Sequence, residues 1–298
     1  MQNTRALTRR RRESLAAATF LAPDLIGLLV FVLLPIAYAV YVSFFDWNLI
    51  ADMRFVGLAN YERMLTDADW WASMARTLQF AALYVPLLFV LSLGLAVALA
   101  ALAGGTAAGL RSAYLLPFAV TSVIASTLWM FLYNEKQGYL NAVLGFFGIP
   151  DQKFIGSPSQ AMISIVVVVL WTNLGYTSML FFAAIKEIPA SITEAARLDG
   201  AGAWQSFWRI TLPLIRPTTI FVSVTSTIAA FQVLDIILVM TRGGPADATN
   251  VGVLYIYQRS FERLEMGYGA ALSVVMFAIL LVISLLQLRL ARSSNLDG

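Results

Sequence analysis

Residues 186–217 read KEIPASITEAARLDGAGAWQSFWRITLPLIRP, and two long apolar runs, 160–185 and 217–241, flank them. The stretch is too long for a tight turn and carries helix signals of its own. Ser191 and Glu194 form an S-x-x-E pattern, in which Ser191 caps a helix start while the Glu194 side chain returns a bond. Pro189 precedes the cap, and Gly200 stands where a helix ends in a left-handed residue. These signals predict a short helix over 192–199, with Ala195 and Ala196 set among the charged Glu194, Arg197 and Asp199. A second helix is predicted over 202–211. Trp204, Phe207, Trp208 and Thr211 recur there at intervals of three and four, so the aromatics share one face suited to the headgroup zone. Pro213 and Pro217 then break the chain before the next apolar run. Such a helix pair is either a plain interfacial link between two spans or a rigid knob that a partner protein grips.

Outward from this loop, the sequence is dominated by segments long enough to cross a bilayer. About 20 mostly apolar residues span the ~30 Å hydrocarbon layer. Six segments qualify: 16–44, 76–102, 112–133, 160–185, 217–241 and 268–290. In lipid the backbone must satisfy its own hydrogen bonds, so each is expected to be a helix. Of 298 residues, 59% are apolar and 12% charged, where soluble domains have about 45–50% and about 25%; mean hydropathy is +0.76. The expected fold is an all-α membrane protein, one domain over 1–298 with six transmembrane helices, in contact with the lipid bilayer. No internal repeat or linker divides it.

An even number of crossings puts both termini on one side. With Arg5 and the run Arg9 to Arg12 inside, that side also holds Arg111, Lys186, Arg197, Arg209, Arg216, Arg289 and Arg292, which makes twelve of the twenty Lys and Arg residues. The excess follows the positive-inside rule and makes the termini and the 186–216 loop cytoplasmic. The arginine run reads as a membrane flank; a nucleic-acid patch needs more basic surface, and no nucleic-acid partner is expected. The apolar stretch from Leu15 to Phe44 exceeds the ~7–15 residues of a signal-peptide core and reads as an uncleaved first span. The outer segments are 45–75, 134–159 and 242–267. Trp47, Trp70 and Trp71 in the first suit an interfacial belt. Arg242-Gly243-Gly244-Pro245 opens the third as a turn.

Polar groups deep in a span are costly unless they face the bundle or a water-filled path. Asn173 lies about 16 Å below the outer end of the fourth span, near the bilayer centre, with Tyr176 on the same face. Gln232, beside Phe231, lies about 12 Å below the outer end of the fifth. An aromatic beside an amide suits a sugar, offering stacking and paired hydrogen bonds. Interhelical glue is the equally open alternative for both amides. Asp235, about 7 Å from the outer end, is the only acid well inside a span. It is either a functional group or a structural one, capping a helix or pairing with Arg242. Asp24, after Pro23, reads as a helix-start residue.

The loop carries a resemblance. Glu194-Ala195-Ala196, then Gly200, then Ile210, Leu212 and Pro213 match at every spaced position the EAA---G---------I-LP signature of ABC importer permeases. SFFDWN (43–48), FVGLANY (55–61), WTNLGYT (171–177) and DIILVMTRGGP (235–245) resemble the carbohydrate-uptake branch, of the maltose and glycerol-3-phosphate type. The run Arg216-Pro217-Thr218-Thr219 and the TRGGP turn particularly resemble the glycerol-3-phosphate permeases.

The resemblance implies a type I importer permease fold in a bacterial cytoplasmic membrane, spanning it several times. Its loop would be a coupling helix that enters a cleft on an ATP-binding subunit through Glu194, Ala195, Ala196, Arg197, Asp199 and Gly200. The partners implied are a second homologous permease subunit, two ATP-binding subunits and an extracytoplasmic solute-binding protein. The substrate implied is a sugar or sugar-like solute, such as a disaccharide or glycerol-3-phosphate. For its pathway the resemblance points to the stretches that hold Asn173 and Tyr176, and Phe231 and Gln232; Gly175 and Asp235 complete the candidate pathway residues.

Cysteine and histidine are absent, which removes disulfides, Cys or His metal sites and His-based catalysis. No G-x-x-x-x-G-K-[ST] loop occurs, and Gly104-Gly105 has no lysine after it. ATP and Mg are therefore expected on partner subunits, with no cofactor, metal or catalytic residue on this chain. A different class, the ion-coupled secondary transporter, wants midplane acids, broken helices and inverted repeats; the sequence offers it Asp235.

Overall fold

A computed structural model of the chain describes residues 18–102 and 105–293. Arg5, Arg9 to Arg12, Gly104 and the side chain of Arg292 lie outside the described residues. The helices are α1 (Ala18–Val42), α2 (Ala59–Thr66), α3 (Ala68–Ala101), α4 (Gly105–Ala119), α5 (Ser122–Leu132), α6 (Tyr139–Phe146) and α7 (Pro158–Lys186). After α7 come α8 (Ala190–Leu198) and α9, which starts as Ala203–Ser206 and runs through the wider turn Phe207–Thr211 into Leu212–Leu214. The remainder is α10 (Arg216–Phe231), α11 (Asp235–Met240), α12 (Gly252–Tyr257) and α13 (Met266–Ser293). Strands β1 (Phe45–Asp46) and β2 (Arg54–Phe55) pair antiparallel.

Five spans are long and apolar enough to cross a membrane: α1, α3, α7, α10 with α11, and α13 as far as Leu290. The sixth crossing is α4 with α5, and it is bent by 99°. The third span is thus not the single helix expected over 112–133. Pro117 inside α4 has no N–H for the helical ladder. Thr121 then turns extended and caps α5, its Oγ1 accepting from the Ile124 N–H at 3.5 Å. The fifth span also departs from the single helix expected over 217–241, because residues 232–234 leave the helix between α10 and α11.

The residues fall into two compact units, one running to Thr66 and joined by Ile256–Val275, the other Asp67–Tyr255 with the residues from Met276 on. In the first unit, Asn60 Nδ2 donates to the carbonyls of Ser43 at 2.9 Å and Phe45 at 3.0 Å, fixing α2 on the hairpin. Gly267 lies so close to the Phe45 carbonyl that any Cβ would fall on it. Glu265 holds Arg63 at 2.9 Å and Arg259 at 3.2 Å, and the Arg63 guanidinium lies 4.0 Å from the Tyr268 ring centre.

The second unit is built on α3 and α7, which pack along each other, with α10 against both. Phe80, Tyr84, Leu88, Ile165, Val168 and Phe181 are buried between them. The helix of α3 begins at Ala68, capped by Asp67 Oδ1, which accepts from the N–H groups of Asp69 and Trp70. This early start buries Trp70 completely, against Tyr255, so Trp70 does not belong to an interfacial belt; Trp71 is 45% exposed. The broken span follows α7 outward. A Cβ at Gly175 would fall on the Tyr114 carbonyl. Phe118 stacks on Tyr176 at 4.6 Å, Trp129 meets Trp171 at 5.8 Å, and the Tyr133 hydroxyl donates to the Ser164 carbonyl at 3.0 Å.

Candidate functional site: a mid-span cavity and an inner-side handle

The two interruptions face one hollow. A cavity of about 230 Å³ is lined by Phe118, Val120 and Ser122 from the break in the third span, and by residues 232–236 from the break in the fifth. Tyr84 of α3 and Val169, Thr172 and Asn173 of α7 close its remaining sides. Non-helical backbone at membrane depth is tolerated where it is buried in protein or lines a cavity, and here it does the latter.

Asn173 Nδ2 donates to the Val169 carbonyl at 2.9 Å and to Thr172 Oγ1 at 3.0 Å. Its Oδ1 has no partner among the described residues, so half of the amide is bound and half is free. Gln232 is exposed in the break, where its backbone N–H donates to the Ala229 carbonyl at 3.2 Å. Asp235 is exposed and opens α11, where the positive end of a helix favours an acid. The pairing with Arg242 does not form: Arg242 sits beyond α11 in a left-handed conformation at φ 50°, and among the described residues neither side chain has an ion-pair partner.

Three of the six residues singled out for the pathway, Asn173, Gln232 and Asp235, thus line one cavity. Gly175 does not; it is buried at the crossing with Tyr114, where only a hydrogen fits between the helices. Phe231 is 1% exposed and packed inside α10's core face. Tyr176 touches the cavity only through Phe118, on which it stacks. Tyr84, Phe118, Ser122 and Thr172 line the hollow without having been singled out. Thr172 was within reach as the neighbour of Asn173, and Ser122 as the residue after a cap-forming threonine. The lining offers amide, hydroxyl and carboxylate groups beside two aromatic rings, which is what a polyhydroxy solute needs for hydrogen bonds and stacking. Among the described residues no group of three or more acids could hold a metal ion.

The inner loop is two helices with a hard stop between them. The helix α8 starts at Ala190, two residues earlier than expected, after Pro189. Ser191 therefore falls inside the first turn and makes no capping bond; Thr193 Oγ1 donates to the Ala190 carbonyl at 2.8 Å instead. The C-terminus is as the glycine required. Gly200 is left-handed at φ 79°, its N–H donates to the Arg197 carbonyl at 3.1 Å, and the Ala201 N–H donates to the Ala196 carbonyl at 2.9 Å. Ala196 is buried, whereas Glu194, Ala195, Arg197 and Asp199 are exposed and Leu198 is 89% exposed.

The handle is anchored. Phe207 and Leu212 of α9 pack on a buried cluster of Leu93, Ala96, Phe181, Ile215 and Val222, contributed by α3, α7, the reversal at Ile215 and α10. Lys186 Nζ donates to the Ala100 carbonyl at 3.1 Å, tying the start of the loop to the last turn of α3. Pro213 does not break the chain as expected; it lies in the last turn of α9. The reversal comes at Ile215, and Pro217 occupies the first turn of α10, where its missing N–H costs nothing.

A family described as the inner membrane component of binding-protein-dependent transport systems matches residues 69–295. The chain is 33% identical to the sulfoquinovosyl glycerol transport system permease protein of Agrobacterium fabrum, over 95% of this chain and 92% of that one. It is 34% identical to the sn-glycerol-3-phosphate transport system permease protein of the same organism, over 90% and 92%. It is 32% identical to the trehalose/maltose transport system permease protein of Thermococcus litoralis, over 98% and 99%. Among solved structures, a bacterial ABC transporter involved in import of the acidic polysaccharide alginate superimposes with a TM-score of 0.83 at 22% identity, covering 97% of this chain and 99% of that one. A second match, TM-score 0.83, is the alginate transporter in complex with an alginate pentasaccharide-bound periplasmic protein.

Proposed function

The chain belongs to the inner membrane components of binding-protein-dependent transport systems, among the carbohydrate-uptake ABC importer permeases, and from that premise we propose that it carries a sugar or sugar-like solute through the cavity between its broken spans. Transport is driven by ATP hydrolysed on two separate subunits, which grip α8 from the cytoplasm through Glu194, Ala195, Ala196, Arg197, Asp199 and Gly200. A solute-binding protein outside a bacterial cytoplasmic membrane delivers the solute, and the chain itself performs no catalysis. At about 230 Å³ the hollow is below the ~300–1,000 Å³ of sites that enclose a drug-sized ligand. A second, homologous permease supplies the missing wall.

The observation that carries this reading is the anchored handle. A short exposed helix, stopped by Gly200 and rooted through Phe207 and Leu212 in the helices that wall the cavity, converts movement of a cytoplasmic partner into movement of the spans. The fitting test is purification with its partners. An ATPase co-elutes, and solute uptake into vesicles requires ATP and the binding protein. Ion-gradient-driven uptake by the purified chain alone would reject the proposal in favour of a coupled carrier. That alternative is not favoured, since Asp235 is the one charged side chain in the cavity lining among the described residues.

A further inference from the structure

A larger hollow lies on the inner side of the second unit, separate from the solute cavity. It encloses about 570 Å³ between the inner half of α3 and the loop helix α9. Leu93, Gly94 and Val97 form one wall, and Trp204, Phe207 and Trp208 the other. No charged side chain lines it, and its only side-chain polar groups are the two indole N–H groups. A Cβ added at Gly94 would meet nothing within 4 Å, so the floor is open and, among the described residues, no other element fills it. Trp204 is 75% exposed and Trp208 49%.

The surroundings say what fills it. The α3 wall continues into bare span surface, where Val90 is 64% exposed and Leu91 46%, so the groove opens sideways toward hydrocarbon. Its α3 wall is about 12 Å long at about 1.5 Å per residue, a length of chain rather than of a headgroup. Two cations stand beside its inner end. Lys186 Nζ is fixed on the Ala100 carbonyl, one turn past Val97. Lys186 and Arg111 share the Phe182 ring, at 5.7 and 4.9 Å from its centre. Arg209, the residue after Trp208, is exposed. Basic pockets between membrane helices on the cytoplasmic side suit anionic lipid headgroups, and tryptophan settles at headgroup level.

We propose that this groove binds an anionic phospholipid of the inner leaflet, one acyl chain lying between α3 and α9 and the headgroup phosphate meeting Lys186, Arg111 and Arg209. The lipid bridges a wall of the bundle to the helix that follows the handle. The site depends on the membrane reading of the chain but not on transport, so it stands or falls separately from the function proposed above.

The test uses the full-length chain in phosphatidylcholine vesicles, with spin-labelled phosphatidylglycerol or spin-labelled phosphatidylcholine as probe. Electron paramagnetic resonance reads the motionally restricted fraction of each. The wild-type chain is expected to restrict the anionic probe about fivefold more strongly per contributing cation, the effect of roughly one Lys or Arg near a charged headgroup. Gly94→Leu, which fills the groove floor, removes the excess restriction of the anionic probe, and Arg209→Gln lowers the preference about fivefold while leaving the zwitterionic probe unchanged. Arg209→Gln is a surface change and carries the test alone if Gly94→Leu does not insert. Equal restriction of both probes by the wild-type chain, or an unchanged preference in the Arg209→Gln variant, overturns the proposal. So does a crosslink from position 204 to a protein subunit in the assembled transporter, since a protein would then cover the groove.

Discussion

Three glycines of this chain do three different jobs, and only their surroundings distinguish them. Gly175 lies where a Cβ would fall on the Tyr114 carbonyl, Gly94 where a Cβ would meet open space, and Gly200 where the backbone is left-handed at φ 79°. Gly175→Ala is expected to overpack the crossing of α4 and α7, at a cost of about 1–3 kcal/mol. Gly94→Ala, inside the inner half of α3, is expected to stabilise by about 0.5–1 kcal/mol, since glycine weakens a helix interior. Thermal unfolding in detergent separates the two: the midpoint falls for the first and rises for the second. The sequence told us about Gly200, because its job is local and a helix stop leaves a signature in spacing. It could not tell us about Gly175, which neighbours Asn173 and Tyr176 and so looked like part of the pathway. The carbonyl that demands a glycine there belongs to a residue about sixty positions earlier in the chain, Tyr114.

At the level of elements, apolar length located every crossing, because lipid leaves the backbone no other partner than itself. Interruptions were harder. The break after Pro117 had a proline and a cap-forming Thr121 to announce it, hidden inside a run apolar enough to read as one helix. The break at 232–234 holds neither glycine nor proline. The acid at Asp235, opening α11, is its only local trace. These elements set the solute groups at different risks. Among the described residues Asn173 donates only within α7, and Thr172 keeps its own bond to the Val169 carbonyl, so as a purely structural residue Asn173→Ala breaks no contact between helices and leaves uptake intact. As a solute contact it lowers uptake several-fold at unchanged membrane level, and we expect that outcome in a vesicle uptake assay, with Gln232→Ala behaving alike. For the handle, Gly200→Val forces a branched residue into the left-handed region, at about 1–2 kcal/mol. Because α8 is stopped there and α9 is held independently by Phe207 and Leu212, the damage is expected to stay in the handle. Protease mapping should find the variant inserted as the wild type, while co-elution of the ATPase is lost. Undiminished ATP-driven uptake would mean that α8 is not the docking element.

Across the whole molecule, a straight span passes an axial displacement from one membrane face to the other, and a span with a gap at half depth does not. Among the described residues two spans have such gaps, at 120–121 and 232–234, both lining one hollow, and the short helices beyond them, α5 and α11, pack on each other. Amides at 120–122 and 232–235 are therefore expected to exchange with deuterium faster than those of 165–170 in the uninterrupted α7, as local openings of low free energy do. Equal protection would mean that the broken spans are as stiff as whole ones. In the transport reading proposed above, the discontinuities would act as a clutch: the inner half of the fifth span, packed on the handle through Val222, would turn under load while the outer pair α5 and α11 slips as a single leaf, so opening toward one compartment would not oblige the other to open with it.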